Sequence, residues 1–404
     1  MPIRISKPPV NIREKLAELE RPIGVNGAAL MATSTPQDAF SLIGAGRRNL
    51  LINGDMIINQ RGIVGGSNNV GTSRAAGYGL DRWTVWRVND GANAAVIQEQ
   101  STDVPTGQYF KNSLKLTVNG TGNPTANTNV RFLLHQMIEG NNMYQLRYGT
   151  SGAGYFTFSF WVKCSVTGIY AVTFTNNNGD RGYVATYNIN SASTWEYKTI
   201  TVPGDTTGTW TNDNTAGLTI NFDLGVNGPT TSTYNTWLSG DYRGGTTTTK
   251  LNANNGATYF ITGIQLEEGK VATPFEQRSV GEELALCQRY FQIIMNGQYR
   301  DAWISTVRSS GGTTTLSTPI KFSGAMRASP NIPAPTVTNL RVNGRYGDTA
   351  LTGGTTAIAD INERGFVLFV LNPTASGWTF NLGESLYINA ETTTSNILTA
   401  NAEL

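Results

Sequence analysis

The chain has 404 residues, more than the roughly 250 to 300 that a single hydrophobic core usually organises, so several structural units are expected. Apolar residues (39%) and 45 glycines are ordinary for a globular chain, but charged residues reach only 14% against about 25% in an average soluble protein, with Thr, Asn, Ser and Gly filling the difference. One histidine, His135, and two distant cysteines, Cys164 and Cys287, exclude a zinc cluster and a CxxC redox pair and remove most constellations for acid–base or nucleophilic catalysis. The cysteines read as free, buried thiols. With no signal peptide and no apolar run of membrane-spanning length, assembly in a cytoplasm without membrane insertion is expected.

Charge divides the chain. Residues 1–48 hold seven Lys/Arg and four Asp/Glu, a net of +3, and the remainder holds 23 against 24. A nearly neutral body lacks the clustered cations that phosphate backbones require, so nucleic-acid binding is excluded.

Residues 1–48 read as an N-terminal anchoring arm with two short helices. Pro2, Pro8 and Pro9 hold the first ten residues extended, with Ile3 and Ile5 as apolar contacts. Asn11 and Glu14 form a capping box before Ile12, Leu16 and Leu19, which share one helical face, and Pro22 ends that helix. Thr35-Pro36 repeats the start signal, with Phe40 and Ile43 as the apolar face. Neither helix can bury its stripe alone, so both need a partner surface.

Residues 49–278 read as an antiparallel β-sandwich. Phe156–Val162, Ile169–Phe174, Trp195–Val202, Leu218–Phe222 and Tyr259–Leu266 have the composition and alternation of strands. Residues 201–250 contain 15 threonines, which suit solvent-facing strand positions and loops. Residues 279–296 read as a connecting amphipathic helix, opened by a Ser279/Glu282 capping box and carrying Leu284, Cys287 and Phe291. Residues 297–404 read as a second, smaller β domain with strands at 302–307, 314–322, 337–342, 365–371 and 385–389, broken at Gly311-Gly312, Gly353-Gly354 and Pro373. The fold class is therefore mainly β.

No pair of carboxylates stands out for glycoside cleavage among Asp103, Glu139, Glu267 and Glu268, and the last two point to opposite faces of a strand. Asp180, Asp205 and Asp213 occupy loops where Ca²⁺ could bind, too sparsely to define a site, and no cofactor is implied. His135, in an apolar run, reads as a core or interface group. Trp210, Trp237 and Tyr242 lie in polar, glycine-rich surroundings that suit stacking on sugar rings, the alternative being that they pack a loop or an interface.

Two stretches carry a resemblance. Residues 49–62 (NLLINGDMIINQRG) with Tyr78-Gly79-Leu80-Asp81-Arg82-Trp83, and residues 265–276 with Cys287-Gln288-Arg289-Tyr290, resemble the opening and close of a jelly-roll domain, similar to carbohydrate-binding modules, found in bacteriophage tail fibres and other virion appendages. The arm around Pro8-Pro9-Val10-Asn11 resembles N-terminal anchors of structural proteins from phages of marine bacteria and cyanobacteria. The resemblance implies a non-enzymatic tail-fibre or appendage subunit of the virion. It implies a homotrimer, docked on other tail or capsid proteins through its N-terminus and attached to host-surface polysaccharide. Within the motif, an Asp81–Arg82 ion pair is expected to close one end of the sandwich beside a core Trp83, Pro274 to fix an extended exit, and Phe275 to cover the sandwich bottom. A capsid decoration or tail-adaptor protein, a glycan-cleaving enzyme and a secreted lectin remain alternatives.

Overall fold

A computed structural model describes residues 48–63, 68–70, 75–88, 95–120, 129–295, 302–310, 313–390 and 398–404. The anchor positions Ile3, Ile5, Ile12, Leu16, Leu19, Phe40 and Ile43, and the helices read around them, lie outside the described residues. Among the described residues no helix is long and apolar enough to cross a membrane.

Two antiparallel sheets face each other as a sandwich. The six-stranded sheet runs Asn68–Val70, Ala95–Ser101, Ser113–Asn119, Thr258–Glu268, Phe156–Cys164, Glu196–Val202 from edge to edge. The seven-stranded sheet runs Trp237–Ser239, Arg181–Ile189, Gly168–Asn176, Ala216–Asp223, Arg131–Glu139, Thr84–Val88, Ala75–Tyr78. Strand period decides what goes inside: Phe156, Phe158, Phe160 and Val162 point inward while Thr157, Ser159, Trp161 and Lys163 alternate outward. Phe158 and Phe160 meet Phe222 at 5.8 and 5.1 Å between ring centroids, joining the two sheets through aromatic contacts. All five sandwich strands read from alternation are present.

The threonine-rich segment does not simply face solvent. Residues 226–250 contribute the edge strand Trp237–Ser239 and, on either side of it, a short parallel pairing of Thr230–Thr231 with Gly244–Gly245. Buried Thr248 donates to the buried carboxylate of Asp223 at 2.6 Å, which also accepts the Gly245 amide at 3.2 Å.

The connecting helix is shorter than its apolar spacing suggests. It covers Val280–Gln288, with the Ser279 hydroxyl accepting the Glu282 amide at 3.2 Å, and Phe291–Met295 is a strand. That strand pairs with Leu398–Asn401, a partner more than a hundred residues away that no local pattern announces. The helix's apolar side packs on its own sandwich: Cys287 and Tyr290 are buried with Ile52 and Ile58, and Leu284 lies against them. Cys164 and Cys287 are both free and buried.

Between the paired strands the chain forms a closed antiparallel barrel, in the order Ala302–Ser310, Thr313–Lys321, Gly365–Ala375, Gly347–Asn362, Leu340–Gly344, Ser385–Ala390. Its interior holds Val307, Leu316, Leu340, Val342, Leu368, Val370 and Ile388. Gly353-Gly354, read as a break, lies inside one 16-residue strand whose register shifts around it, so the glycines mark bulges and not an end.

The 49–62 segment is the junction of the whole. The Asn49 side chain donates to the Ile264 carbonyl at 3.0 Å and accepts the Leu51 and Leu266 amides, fixing the segment to the longest sandwich strand. Gly54 passes so close that a Cβ would lie 2.2 Å from the Ile264 oxygen, so only glycine fits. Asn53 adopts a left-handed φ of 56° and bonds the Ile58 and Asp81 carbonyls, while its own carbonyl accepts the Trp83 indole N–H at 2.9 Å. Trp83 is a core residue, as its place in the motif suggests.

Asp81 and Arg82 are not each other's partners. Asp81 accepts from the Gln60 amide and side chain at 2.7 and 2.6 Å and faces Arg61 at 3.8 Å. Arg82, with its own φ at 70°, turns the other way to Glu403, the Met137 carbonyl (2.7 Å) and the face of Tyr290 (3.5 Å). Burial disfavours the guanidinium's charge, but Glu403, Tyr290 and Tyr78 together offset it and hold the pKa of Arg82 above its ordinary value. Arg61 bonds Glu403 at 3.1 Å and covers the Phe291 ring at 3.8 Å. Replacing Glu403 by Ala leaves Arg82 buried without a counter-ion, and a loss of about 3 kcal/mol in unfolding free energy is expected. Denaturant titration followed by tryptophan fluorescence measures it; a loss below about 1 kcal/mol would show the pair to be dispensable.

Candidate functional site

The carboxylates weighed for catalysis are held in structural bonds. Glu139 is buried and bidentate with Arg289 (2.8 Å to each oxygen) and accepts the Tyr290 hydroxyl. Burial opposes its ionisation, but these hydrogen bonds prevail and hold its pKa below the usual range. Glu267 accepts the Thr273 amide and hydroxyl at 2.8 and 2.6 Å, and Asp103 binds Lys163 and the Trp195 indole. The loop aspartates are likewise engaged: Asp205 with Arg181 at 2.6 and 2.9 Å, Asp213 with the Thr215 amide at 2.8 Å, and Asp180 with Asn176. Among the described residues no group of three or more His, Cys, Asp and Glu side chains is placed to hold a metal ion.

The aromatic candidates separate. Trp210 and Trp237 meet edge to face at 5.5 Å, and both pack on Tyr148 at 4.8 and 5.8 Å. Trp237 also touches Tyr183 (5.3 Å) and donates its indole N–H to the Pro203 carbonyl at 2.8 Å, so it mainly fastens the sandwich end. Tyr242 is half-buried over Gly182, where an added Cβ would lie 3.1 Å from its amide nitrogen, and is in ring contact with neither tryptophan.

Trp210 lines an open cleft of about 670 Å³, which neither Trp237 nor Tyr242 enters. Its indole N–H is tied to the Thr207 carbonyl at 3.0 Å, which fixes the ring's orientation. Opposite it stand Tyr144, 71% exposed, and Arg147, with Thr209 and Asn212 on the rim. Two short 3₁₀ turns, Gly140–Asn142 and Tyr144–Leu146, present Tyr144 and Arg147, and Arg147 ends the second turn with φ at 53°. A flat ring, an exposed phenol, one guanidinium and neutral hydrogen-bonding groups around an open cleft match the C–H faces and hydroxyls of a sugar. Sequence reasoning found Trp210 and missed Tyr144, which no periodic pattern marks.

Phe275 is half-buried on the outer face of the six-stranded sheet, its ring edge-on to Phe110 at 5.3 Å, with Pro274 exposed beside it. It therefore covers sheet surface and not the bottom of the core.

His135 is buried on the outer side of the seven-stranded sheet, edge-on to Trp86 at 5.8 Å, with no hydrogen-bond partner for Nδ1 among the described residues. Burial first, then Arg243 and Arg82, push its pKa from 6.5 to about 3.

No protein-family model matches the sequence, and no curated protein does. Solved structures give partial likenesses. The enzymatically active domain of tailspike protein 4 of bacteriophage CBA120 aligns at 16% identity and a TM-score of 0.30, over 55% of this chain and 21% of the tailspike. This chain thus spans about a fifth of the tailspike's length. A putative sugar binding protein from Bacteroides thetaiotaomicron aligns at 13% identity and a TM-score of 0.30, over 55% of this chain and all (100%) of that one. A family 11 carbohydrate-binding module from Clostridium thermocellum, in complex with a β-1,3-1,4-mixed-linked tetrasaccharide, aligns at 15% identity and a TM-score of 0.25, over 48% and 93%. These scores lie below what a common fold requires, so function has to be read from this chain's own side chains.

The state of His135 is directly measurable, because it is the single histidine (His count 1). The unfolded chain binds its proton near 6.5 and the folded chain only near 3, so the stability involved is present above pH 6.5 and is lost as pH falls towards 3. The imidazole should give the NMR signature of a neutral ring at about pH 5. An imidazolium signal from folded protein at that pH would contradict its burial.

Proposed function

We propose that this chain is a non-enzymatic appendage subunit of a phage virion, a tail fibre or similar structure, that binds host-surface glycan through the cleft between Tyr144 and Trp210. The observation that supports the reading is the cleft itself. It joins an oriented indole to an exposed phenol, the Arg147 guanidinium and uncharged polar groups, while the acids Asp103, Glu139, Asp205 and Glu267 are committed to structural bonds. Residues 1–48 would dock the subunit on other tail or capsid proteins, and assembly as a homotrimer would multiply weak single sites by avidity. The trimer draws nothing from the connecting helix, whose apolar side is already used within one chain.

Tyr144→Ala and Trp210→Ala should each weaken binding of the full chain to host cells by about tenfold, as expected for loss of a central aromatic contact. Unchanged binding by both variants would remove the cleft from the mechanism, and release of reducing sugar ends from host polysaccharide would overturn the non-enzymatic reading. Particles assembled with a chain beginning at Asn49 should lack the subunit, and light scattering of the full chain should return three times its mass. Normal incorporation, or a monomer mass, would refute the respective element.

A further inference from the structure

A second aromatic surface lies on the outer face of the six-stranded sheet. Cross-strand register places Trp161 between Tyr197 on the edge strand and Thr262 on the other side, all three facing outward. The Trp161 and Tyr197 rings are 5.2 Å apart and inclined at 41°, side by side across the two strands. Facing it is the Phe110–Phe275 pair, positioned by a bulge in Thr258–Glu268. At the bulge Gly263 has φ of 62°, and a Cβ there would lie 2.5 Å from the Phe110 ring, so glycine lets that ring lie directly on the strand backbone. Between the two pairs runs a groove of about 370 Å³, with Ser159 on its floor and Gln108 on its wall.

Two features of this groove point to a ligand. The indole N–H groups of Trp83, Trp195, Trp210 and Trp237 each donate to a protein oxygen; among the described residues that of Trp161 has no protein acceptor, as is also true of the buried indole nitrogen of Trp378, but Trp161 alone of these two lies on a groove wall. A tryptophan on the polar face of a strand, half-exposed with its donor free, is placed as recognition residues are and not as core residues are. In addition, the lining contains no Lys, Arg, Asp or Glu. The charges nearest the lining are engaged in protein bonds: Glu267 and Arg48 both bond Thr273, and Lys163, farther along the Trp161 strand, is paired with Asp103. An anionic ligand would lose hydration on entering and find no counter-ion, but a neutral polyhydroxyl chain loses nothing of that kind.

We infer that this groove binds an uncharged polysaccharide, with Trp161 and Tyr197 stacking on successive sugar rings and the Trp161 indole N–H and Gln108 amide bonding hydroxyls. The site is separate from the Tyr144/Trp210 cleft, which carries Arg147, and does not depend on it.

The test is affinity electrophoresis of the full chain in gels containing dextran, galactomannan or arabinoxylan. Retarded migration in at least one of these neutral gels is expected. Trp161→Ala and Tyr197→Ala should each weaken that retention by about tenfold while Tyr144→Ala leaves it unchanged. Circular dichroism checks the fold of each variant. If Trp161→Ala does not fold, Tyr197→Ala decides, since Tyr197 is 44% exposed on an edge strand. Free migration in all three gels, retention that survives these substitutions, or retention lost equally in Tyr144→Ala would overturn the inference. Failure of the cleft in host-cell binding would leave it standing.

Discussion

A buried arginine cannot be left alone in a protein interior, and the enclosure of Arg82 organises the molecule around that requirement. Its guanidinium is met by Glu403 from the far end of the sequence, by the Met137 carbonyl from the middle of a sandwich strand and by the Tyr290 ring from just beyond the helix. Each partner is then held in turn. Tyr290 donates to Glu139, which is clamped by Arg289; Glu403 is shared with Arg61, which covers Phe291. Arg278, on the other side of the junction, bonds Glu276, Glu283 and the Leu51 carbonyl. Sandwich, helix and returning strand thus converge on one polar cluster, where removal of a single member exposes others to the cost of an uncompensated buried charge.

How much of this the sequence discloses depends on the range of each interaction. Local alternation is legible: Phe156 to Val162 announces its strand and its buried face, and Ser279 announces the helix start. The 49–62 and 78–83 stretches are recognisable as a motif, yet pairing Asp81 with Arg82 follows only from their adjacency. The left-handed backbone at Arg82 sends the two side chains to different partners, one of them more than three hundred residues away. The same limit hides the end of the helix, because Phe291 fits a helical stripe and only its pairing with Asn401 makes it a strand. Gly353-Gly354 misleads for the opposite reason. A glycine pair usually signals a turn, but in a curved barrel strand it marks bulges that bend the sheet.

The surface aromatics follow the same division. Trp210 stands out because its surroundings are glycine-rich and polar, and it does line a cleft, although the neighbouring Tyr144 comes from a 3₁₀ turn without periodic signature. Trp161 was legible in principle. In the run Phe156-Thr157-Phe158-Ser159-Phe160-Trp161 it occupies the outward register with Thr157 and Ser159, and a large apolar residue on a polar face invites a question about what it meets. What could not be read was the second wall of the groove, since Phe110 and Phe275 arrive from loops separated by more than 160 residues.

The ribbon formed by Phe291–Met295 and Leu398–Asn401 has a mechanical consequence. The chain enters and leaves the barrel through two adjacent, hydrogen-bonded strands, so the single covalent connection to the sandwich is doubled by a strand pairing. A load applied to the barrel passes along one covalent path, through Phe291–Met295, and is resisted by the ladder that this strand shares with Leu398–Asn401. Free rotation about a single bond, the usual source of slack between domains, is unavailable. After a single backbone cut within the barrel, the C-terminal part would be held to the sandwich side only by this ladder and by the Glu403 ion pairs with Arg61 and Arg82.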